Sequence, residues 1–305
     1  MDTVLVAPLQ LTIRHLTTYR YRQPVAFGEH RMMFRPRESA DLRLLDVQLA
    51  ISPTPVHLHS TEDGYGNHID IAEFSGRATT LSFESIVRIE QVPLTGYPRP
   101  AEADGQVPTV YGAEERETLR DYLPSGQVES PDPIRDFAGR FLEASRETGS
   151  WALLSRLSDG IHRAFAYRRR EAKGIQPAAE TLALGHGSCR DFAVLLIAAA
   201  RSLGFAARFA SGYLAGPLDP ANSGDHLAPG IAGGATHAWA QIYLPRMGWT
   251  DFDPTSGTVG RQNLVTVALV ADPEDATPLH GTFLGFPGDH IGMDVAVAIT
   301  AVPGS

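Results

Sequence analysis

The sequence is poor in cysteine, in long apolar runs and in runs of basic residues. Its 305 residues contain a single cysteine, Cys189, which excludes an intrachain disulfide framework and a metal site built from several thiolates. No apolar run approaches the roughly 20 residues that span a bilayer as a helix, so we expect no membrane partner. The net charge is −9, and the nearest thing to a basic run is the three arginines at 168–170, so we expect no nucleic-acid partner either.

Two features of the sequence indicate where the protein is located: its first 15 residues and its single cysteine. Residues 1–15 lack the basic segment followed by a long apolar segment that is typical of a secretory signal peptide. A lone cysteine also fits a reducing compartment. The sequence therefore predicts a cytoplasmic protein.

Residues 1–95 carry the patterns of short β-strands. Apolar and polar residues alternate in four segments, and turn residues at 63–67 separate two of them: 11–22, 44–52, 67–74 and 80–92. This pattern predicts an antiparallel, sandwich-like β-domain. His57 and His59 would share one strand face as half of a metal site, but no third ligand is evident, and we expect no bound metal or cofactor.

The remainder of the chain divides into a connector and a mixed domain. Residues 96–131 are rich in proline, glycine and acidic residues, which predicts a surface connector. From residue 132 helical periodicity begins, with Asp132 as N-cap, and the most apolar helix is predicted over 189–203. Strands are predicted in five later segments: 205–214, 237–244, 249–253, 264–271 and 293–300. The predicted fold class is α+β, with helices packed on an antiparallel sheet over 132–305.

The cysteine lies in the segment GHGSCRDF, residues 185–192, at the start of the apolar helix. In the first helical turn, unpaired backbone N–H groups and the positive end of the helix favour the thiolate over the thiol. The thiolate is the nucleophilic form, and the glycines at 185 and 187 leave room for a substrate. A buried small residue that happens to be cysteine is the alternative that this segment leaves open.

A thiolate nucleophile requires a base and a group that orients the base. His237 begins the alternating strand HAWAQIYL after a glycine-rich loop, which suits a base at the mouth of a cleft. A four-residue turn over 245–248 would place Asp253 opposite Ala240, on the other face from His237, and Asp251 has the same parity. The strand pattern alone therefore does not establish a His–Asp contact.

Two sets of motifs resemble a known family. The pattern GxGxCRDFAxLLxAxxRxLG followed by THAWAQIYLPRMGWTDFDPT, within residues 150–260, resembles the transglutaminase-like superfamily of papain-type thiol enzymes. The stretch YRYRQPVAFGEHRMMFRPR with DGYGN is similar to the β-domain that precedes the core in bacterial members. The resemblance implies a papain-like core behind the β-domain. It also implies that Cys189 is the nucleophile, that His237 is the base, and that Asp253 orients the base.

The implied reaction is acyl transfer through a thioester on Cys189. Water as acceptor would make the protein a cysteine protease or amidase, whereas an amine acceptor would make it a transglutaminase or another amide-forming acyltransferase. The three residues serve both reactions, and we favour hydrolysis because selection of an amine needs structure that the sequence does not identify. The implied substrate is a peptide or protein with a carboxamide group. A non-catalytic binding scaffold is the third hypothesis, and the complete set of three residues argues against it.

Three further residues are candidates for the pocket. The backbone N–H of Cys189 is the first expected donor to an oxyanion, and the Tyr167 hydroxyl is a candidate for the second. His186 precedes the nucleophile by three residues and could line the pocket, while Trp239 could form a cleft wall beside His237. Each of these has a structural alternative as a packed core residue. The loop over 215–235 is long enough to act as a lid or specificity loop.

Overall fold

The computed structural model describes residues 8–92, 111–124, 132–143, 149–169, 174–215, 232–260, 263–286 and 288–302. The described N-terminal part contains β1 (Leu9–Met32), β2 (Leu42–Ser52), β3 (His57–Glu62), β4 (His68–Glu73) and β5 (Ala78–Gln91). The described helices are α1 (Ala113–Thr118), α2 (Pro133–Glu143), α3 (Gly149–Ala164), α4 (Ala178–Leu184) and α5 (Cys189–Ser202). The later strands are β6 (Ala166–Tyr167), β7 (His186–Gly187), β8 (Ala207–Ala215), β9 (Ala232–Leu244), β10 (Gly248–Asp253), β11 (Thr258–Val259), β12 (Leu264–Val270), β13 (Leu279–Leu284) and β14 (His290–Val302).

The long strand β1 is the centre of the N-terminal sheet. Its first half pairs with β5 on one side and β14 on the other, and its second half pairs with β4 and β13. Alternate residues such as Leu11 and Ile13 are buried, because a strand with one face toward the core buries every second side chain. The predicted α+β class, with strands first and helices later, is confirmed.

The last two described strands pair with β1 of this sheet. β14 pairs with β1 over the register from Gln10↔Val302 to Tyr21↔His290, and β13 pairs with the second half of β1. The first half of β1 has a second edge of backbone donors and acceptors, and β14 satisfies that edge from Gln10 to Tyr21.

The mixed domain is built on β8, β9 and β10, with β12 beside β8 and β11 beside β10. Helices α2, α3 and α5 cover one face of this sheet, where Ala238, Ala240 and Ile242 of β9 are buried. α5 begins at Cys189 and is buried on most of its surface, as its composition predicts. No helix in the described ranges has both the length and the apolar character needed to cross a membrane.

The two halves share one curled sheet. β14 pairs with β1 and also with the start of β9, through Ala298↔Gly233 and Ile299↔Ala232. Ile299 is fully buried at this junction. The described strands outside β6 and β7 form one 12-stranded sheet, in which β14 is the bridge between the N-terminal strands and the mixed domain.

Only part of the predicted connector over 96–131 lies within the described residues. Residues 111–124 include α1 and a short 3₁₀ turn, and Tyr111 is buried against the core. The Tyr111 hydroxyl donates to the carbonyl of Tyr243 at 2.8 Å and accepts from the N–H of Ala206 at 3.0 Å. This part of the connector is therefore docked on β8 and β9. The described residues do not include 96–110 and 125–131 of the predicted connector. They also do not include residues 216–231 of the predicted lid loop.

Candidate active site

The N-terminus of α5 is held by a buried carboxylate. Ser188 is the N-cap, and Asp191 accepts its N–H and its hydroxyl at 2.8 Å each. The second carboxylate oxygen of Asp191 accepts the N–H of Gln176 at 2.9 Å, and Asp191 is only 1% exposed. Because these bonds fix the first turn, they also fix where Cys189 begins the helix.

The residues before Cys189 run beside a second short strand. β7 pairs in parallel with β6, and the N–H of Arg168 donates to the carbonyl of Gly187 at 2.8 Å. A Cβ at position 187 would lie 2.9 Å from the Cβ of Asp191, so only glycine fits this close approach. The pairing places Tyr167 directly opposite Gly187, next to the start of α5.

The β9–β10 hairpin has a three-residue connection, residues 245–247, and not the predicted four-residue turn. Leu244 therefore pairs with Gly248, and Asp251 pairs with Gln241. Compared with the predicted register, this one moves β10 by one residue, so that Asp251 and Asp253 share a face with His237. The predicted four-residue turn is thus corrected, and a regular register already brings Asp253 to the face of His237.

His237, Asp253 and Cys189 meet at the end of this hairpin. His237 Nε2 donates to Asp253 Oδ2 at 2.9 Å, and the exposed fractions of the two residues are 8% and 2%. Cys189, the first residue of α5, also acts on this imidazole and raises its pKa. Because Nε2 is used by Asp253, Nδ1 is the ring nitrogen left for the sulfur. Asp253 further accepts the Thr255 N–H at 2.9 Å and the Ser256 hydroxyl at 2.7 Å.

The charges of this site are set by its hydrogen bonds. Burial by itself lowers the pKa of His237, but the hydrogen bonds and charges of Asp253 and Cys189 outweigh it and raise the pKa to about 10. Burial works to raise the pKa of Asp253, and the bonds from His237, Ser256 and Thr255 bring it below its usual value. The arrangement therefore favours an imidazolium between a carboxylate and the sulfur, which is the setting that activates a thiol.

Tyr167 lies on the open side of the site. Its side chain is exposed, with 56% of its surface accessible, although the residue stands opposite Gly187. Partial burial and the charge of Cys189 raise the pKa of the Tyr167 phenol. The carbonyl of His186 accepts from Gln176 Nε2 at 3.1 Å, while His186 Nδ1 is buried and has no hydrogen-bond partner among the described residues.

Trp239 does not form a wall of the cleft. It is 0% exposed and packs with Leu264 and Leu269, because β12 covers this part of the sheet. Its indole N–H donates to Asp251 Oδ1 at 2.6 Å. Its ring stacks beside the imidazole of His237, with centroids 6.1 Å apart and planes 22° apart. Trp239 therefore lies in the interior beside the imidazole, which corrects the expectation that it forms a cleft wall.

Three supporting residues were not predicted to act at the site. Asp191 and Gln176 secure the start of α5, and Ser256 donates to Asp253. The spacing of Ser188 and Asp191 resembles a capping box, which is a sequence signal for the first of these. The position of Ser256 in a turn directly after Asp253 is a weaker signal, because Asp side chains often accept from the next turn residues.

The described residues contain no group of three or more histidines, cysteines or acidic residues that could hold a metal ion. His57 and His59, the pair weighed as half of a metal site, lie on the exposed strand β3. The polar groups of the site are instead arranged as one sulfur, one imidazole and one carboxylate. That set is suited to nucleophilic chemistry with proton transfer.

Comparisons with known proteins agree with this architecture. A model of the bacterial transglutaminase-like N-terminal region matches residues 11–90, and a model of the transglutaminase-like superfamily matches residues 136–254. Uncharacterized proteins of Mycobacterium tuberculosis and Mycobacterium bovis are 31% identical to this chain over 325 residues, covering 99% of this chain and 98% of theirs. A structure from Cytophaga hutchinsonii, of a protein proposed to be a cysteine protease, has the same fold, with a TM-score of 0.66, 18% identity, and coverage of 97% of this chain and 99% of that one. The chain thus belongs to the transglutaminase-like superfamily and carries the N-terminal region of its bacterial members.

Proposed function

We propose that this protein is a thiol enzyme that transfers acyl groups through a thioester on Cys189. The observation that carries the proposal is the buried imidazole of His237, which is hydrogen-bonded to Asp253 at 2.9 Å and whose pKa is raised by Asp253 and Cys189 together. The position of Cys189 at the first residue of α5 adds support, because the helix N-terminus stabilises a thiolate there. Family membership adds further support.

The proposed cycle has two half-reactions. The Cys189 thiolate attacks the carbonyl carbon of a carboxamide, and the backbone N–H of Cys189 donates to the developing oxyanion. The C–N bond then breaks as the imidazolium of His237 gives its proton to the leaving amine or ammonia. In the second half, the neutral imidazole takes a proton from the acceptor, which attacks the thioester and releases the thiolate. Asp253 keeps the imidazole oriented and stabilises its charged form throughout.

Within this chemistry we favour hydrolysis of a peptide or protein carboxamide. The supporting observation is that Tyr167, which stands opposite Gly187 near the start of α5, has 56% of its surface accessible, so that water can reach this side of the site. Transfer to an amine uses the same three residues and is the competing outcome. A denatured protein offered together with a fluorescent primary amine separates the two. We expect released ammonia or new chain ends, little amine label, and no product with Cys189→Ala.

The first test is the rate at which iodoacetamide alkylates Cys189 as a function of pH. We expect the folded protein to react almost as fast at about pH 6 as at about pH 9, whereas a free thiol needs a pH near 8.5. His237→Ala should react only at the higher pH, and the unfolded protein provides the free-thiol reference. A free-thiol profile for the folded wild-type protein would contradict the enzyme proposal and favour a binding scaffold.

A cytoplasmic site of action is also part of this proposal. The single cysteine supports it, since a catalytic thiol persists most readily in a reducing compartment. Fractionation of cells that express the tagged chain tests it. Recovery outside the cytoplasmic fraction would contradict it.

A further inference from the structure

A row of buried polar side chains crosses the sheet next to the base. Arg208 on β8, Gln241 on β9 and Asp251 on β10 stand directly opposite one another in the strand register. Gln241 and Asp251 are 0% exposed, as is Trp239, two residues from Gln241 on the same strand face. Asp251 is thus a buried carboxylate that the proposed catalytic cycle does not use.

The contacts in this row lead from the sheet to the imidazole. Asp251 Oδ1 accepts from Trp239 Nε1 at 2.6 Å and from Gln241 Nε2 at 2.7 Å. Gln241 Oε1 in turn accepts from Arg208 Nε at 2.9 Å. At the other end, the Trp239 ring lies beside the His237 ring with planes only 22° apart.

Burying these polar groups lowers the stability of the fold, so their presence suggests a role other than stability. A carboxylate in a protein interior loses its hydration, and apolar residues of the same volume are often at least as stabilising. Here Arg208 is linked to Asp251 through Gln241, and its guanidinium stacks over the Trp249 ring at 4.0 Å. Tyr122 and Arg37 are the other titratable groups that act on Arg208, while Cys189 and Asp253 act on His237. Polar rows of this kind fix geometry more than they add stability.

We propose that Asp251 is a positioning residue for the base: it anchors the Trp239 indole, and the anchored ring holds the His237 imidazole in line with Asp253 and Cys189. The inference rests on the proposed function, because it assigns Asp251 a part in keeping the thiol activated. Asp251 touches neither the sulfur nor the imidazole in this scheme and acts only through Trp239. Outer contacts that orient a reacting group in this way commonly change its efficiency without joining the chemistry.

The test removes the Trp239–Asp251 hydrogen bond in two ways, from the acceptor and from the donor. Asp251→Ala removes the acceptor, and Trp239→Phe removes the indole N–H but keeps a ring beside His237. We expect each change to slow alkylation of Cys189 at about pH 6 by roughly fivefold to tenfold, with little effect at about pH 9. The double variant should be no slower than the slower single variant, since both changes remove the same contact. A purely structural role would lower the thermal midpoint without moving this pH profile.

Trp249→Phe is the matched control, because Trp249 packs on Arg208 and Tyr243 at the other end of β10. It should keep the wild-type profile. Wild-type profiles in both Asp251→Ala and Trp239→Phe, or additive losses in the double variant, would overturn the inference. If Asp251→Ala does not fold, Trp239→Phe decides by itself. A wild-type protein without His237-dependent reactivity at low pH would instead contradict the proposed function.

Discussion

Two buried histidines of this protein have opposite proton affinities, and their neighbours explain the difference. The two ring nitrogens of His15 are hydrogen-bonded to the hydroxyl groups of Tyr213 at 3.0 Å and Thr17 at 3.1 Å, and burial lowers the pKa of His15 to about 4. His237 is desolvated too, but Asp253 and Cys189 raise its pKa to about 10. The charge of a buried histidine here depends on whether an anionic partner is present.

The first prediction concerns Asp253, the carboxylate beside His237. Asp253→Asn keeps the shape of the side chain and removes its charge, so the pKa of His237 should fall by about 2 or more. NMR titration of the His237 ring measures this fall. Because the pKa of folded His237 lies above the unfolded value of about 6.5, the ion pair stabilises the fold below that pH. This contribution is lost as the pH rises toward 10.

Ser256→Ala is the control for this change. It removes one hydrogen bond to Asp253 and leaves both charges in place, so the pKa of His237 should fall by much less. An unchanged pKa in Asp253→Asn would mean that the carboxylate does not hold the charged imidazole.

The second prediction concerns acid stability. The pKa of folded His15, about 4, lies below the unfolded value of about 6.5, so the unfolded chain binds more protons between these two values. The free energy of unfolding should therefore fall by about 3 kcal/mol as the pH drops from about 6.5 to about 4. Urea unfolding at a series of pH values should show this fall in the wild type and a weaker fall in His15→Phe.

The remaining slope in His15→Phe should come from His30, whose pKa is also lowered by burial. His59→Gln, a change on the exposed strand β3, should leave the wild-type slope intact. An equal slope in His15→Phe and the wild type would rule out His15 as its source.

Among the secondary-structure elements, α5 depends most on a single side chain. Asp191→Ala would leave three donors of Ser188 and Gln176 without their acceptor in a buried place. We expect a loss of about 3 kcal/mol in the free energy of unfolding and slower alkylation of Cys189, because the first turn would shift. Asp159→Ala on α3 is the control: it breaks an accessible ion pair with Arg163 and should cost less than about 0.5 kcal/mol. Similar losses in the two variants would contradict this account.

The elements themselves are largely predictable from sequence, but the register of one hairpin is not. α5 follows from its apolar pattern and its capping residues, and β9 follows from strict alternation. From sequence, the β9–β10 turn could contain three or four residues. The observed three-residue turn has Arg246 at a φ of 70°, and an arginine gives no sequence signal for that conformation. The resemblance to a family led to Asp253 where the strand pattern could not.

For the whole molecule, β14 is the element that joins the two halves. Deleting residues 290–305 would remove twelve residue pairs with β1 and the contacts of Ile299 beside β9. We expect this variant to aggregate or to lose its cooperative unfolding transition, because β1 would be left with an open edge. Deleting only 303–305 should leave the thermal midpoint unchanged. A soluble variant without residues 290–305 that keeps the wild-type midpoint would contradict the prediction.

This joining of the halves could not be predicted from local patterns. Alternation in the segment around 293–300 predicts a strand, which is correct, but it carries no information about which strand is its partner. In the structure, β14 pairs with the edge of β1 that is left open beside β5, and Ile299 is buried where β14 also meets β9.

The pairing of β1 with β14 also has a consequence for synthesis of the chain on the ribosome. Val302, the partner of Gln10, is made 292 residues later, which takes roughly 15 to 60 seconds at about 5–20 residues per second. During that interval β1 can pair with β5 and β4, but residues 10–21 have no partner along the edge that β14 occupies. The N-terminal sheet is therefore completed only when β14 emerges, and a newly made chain must protect that edge until then.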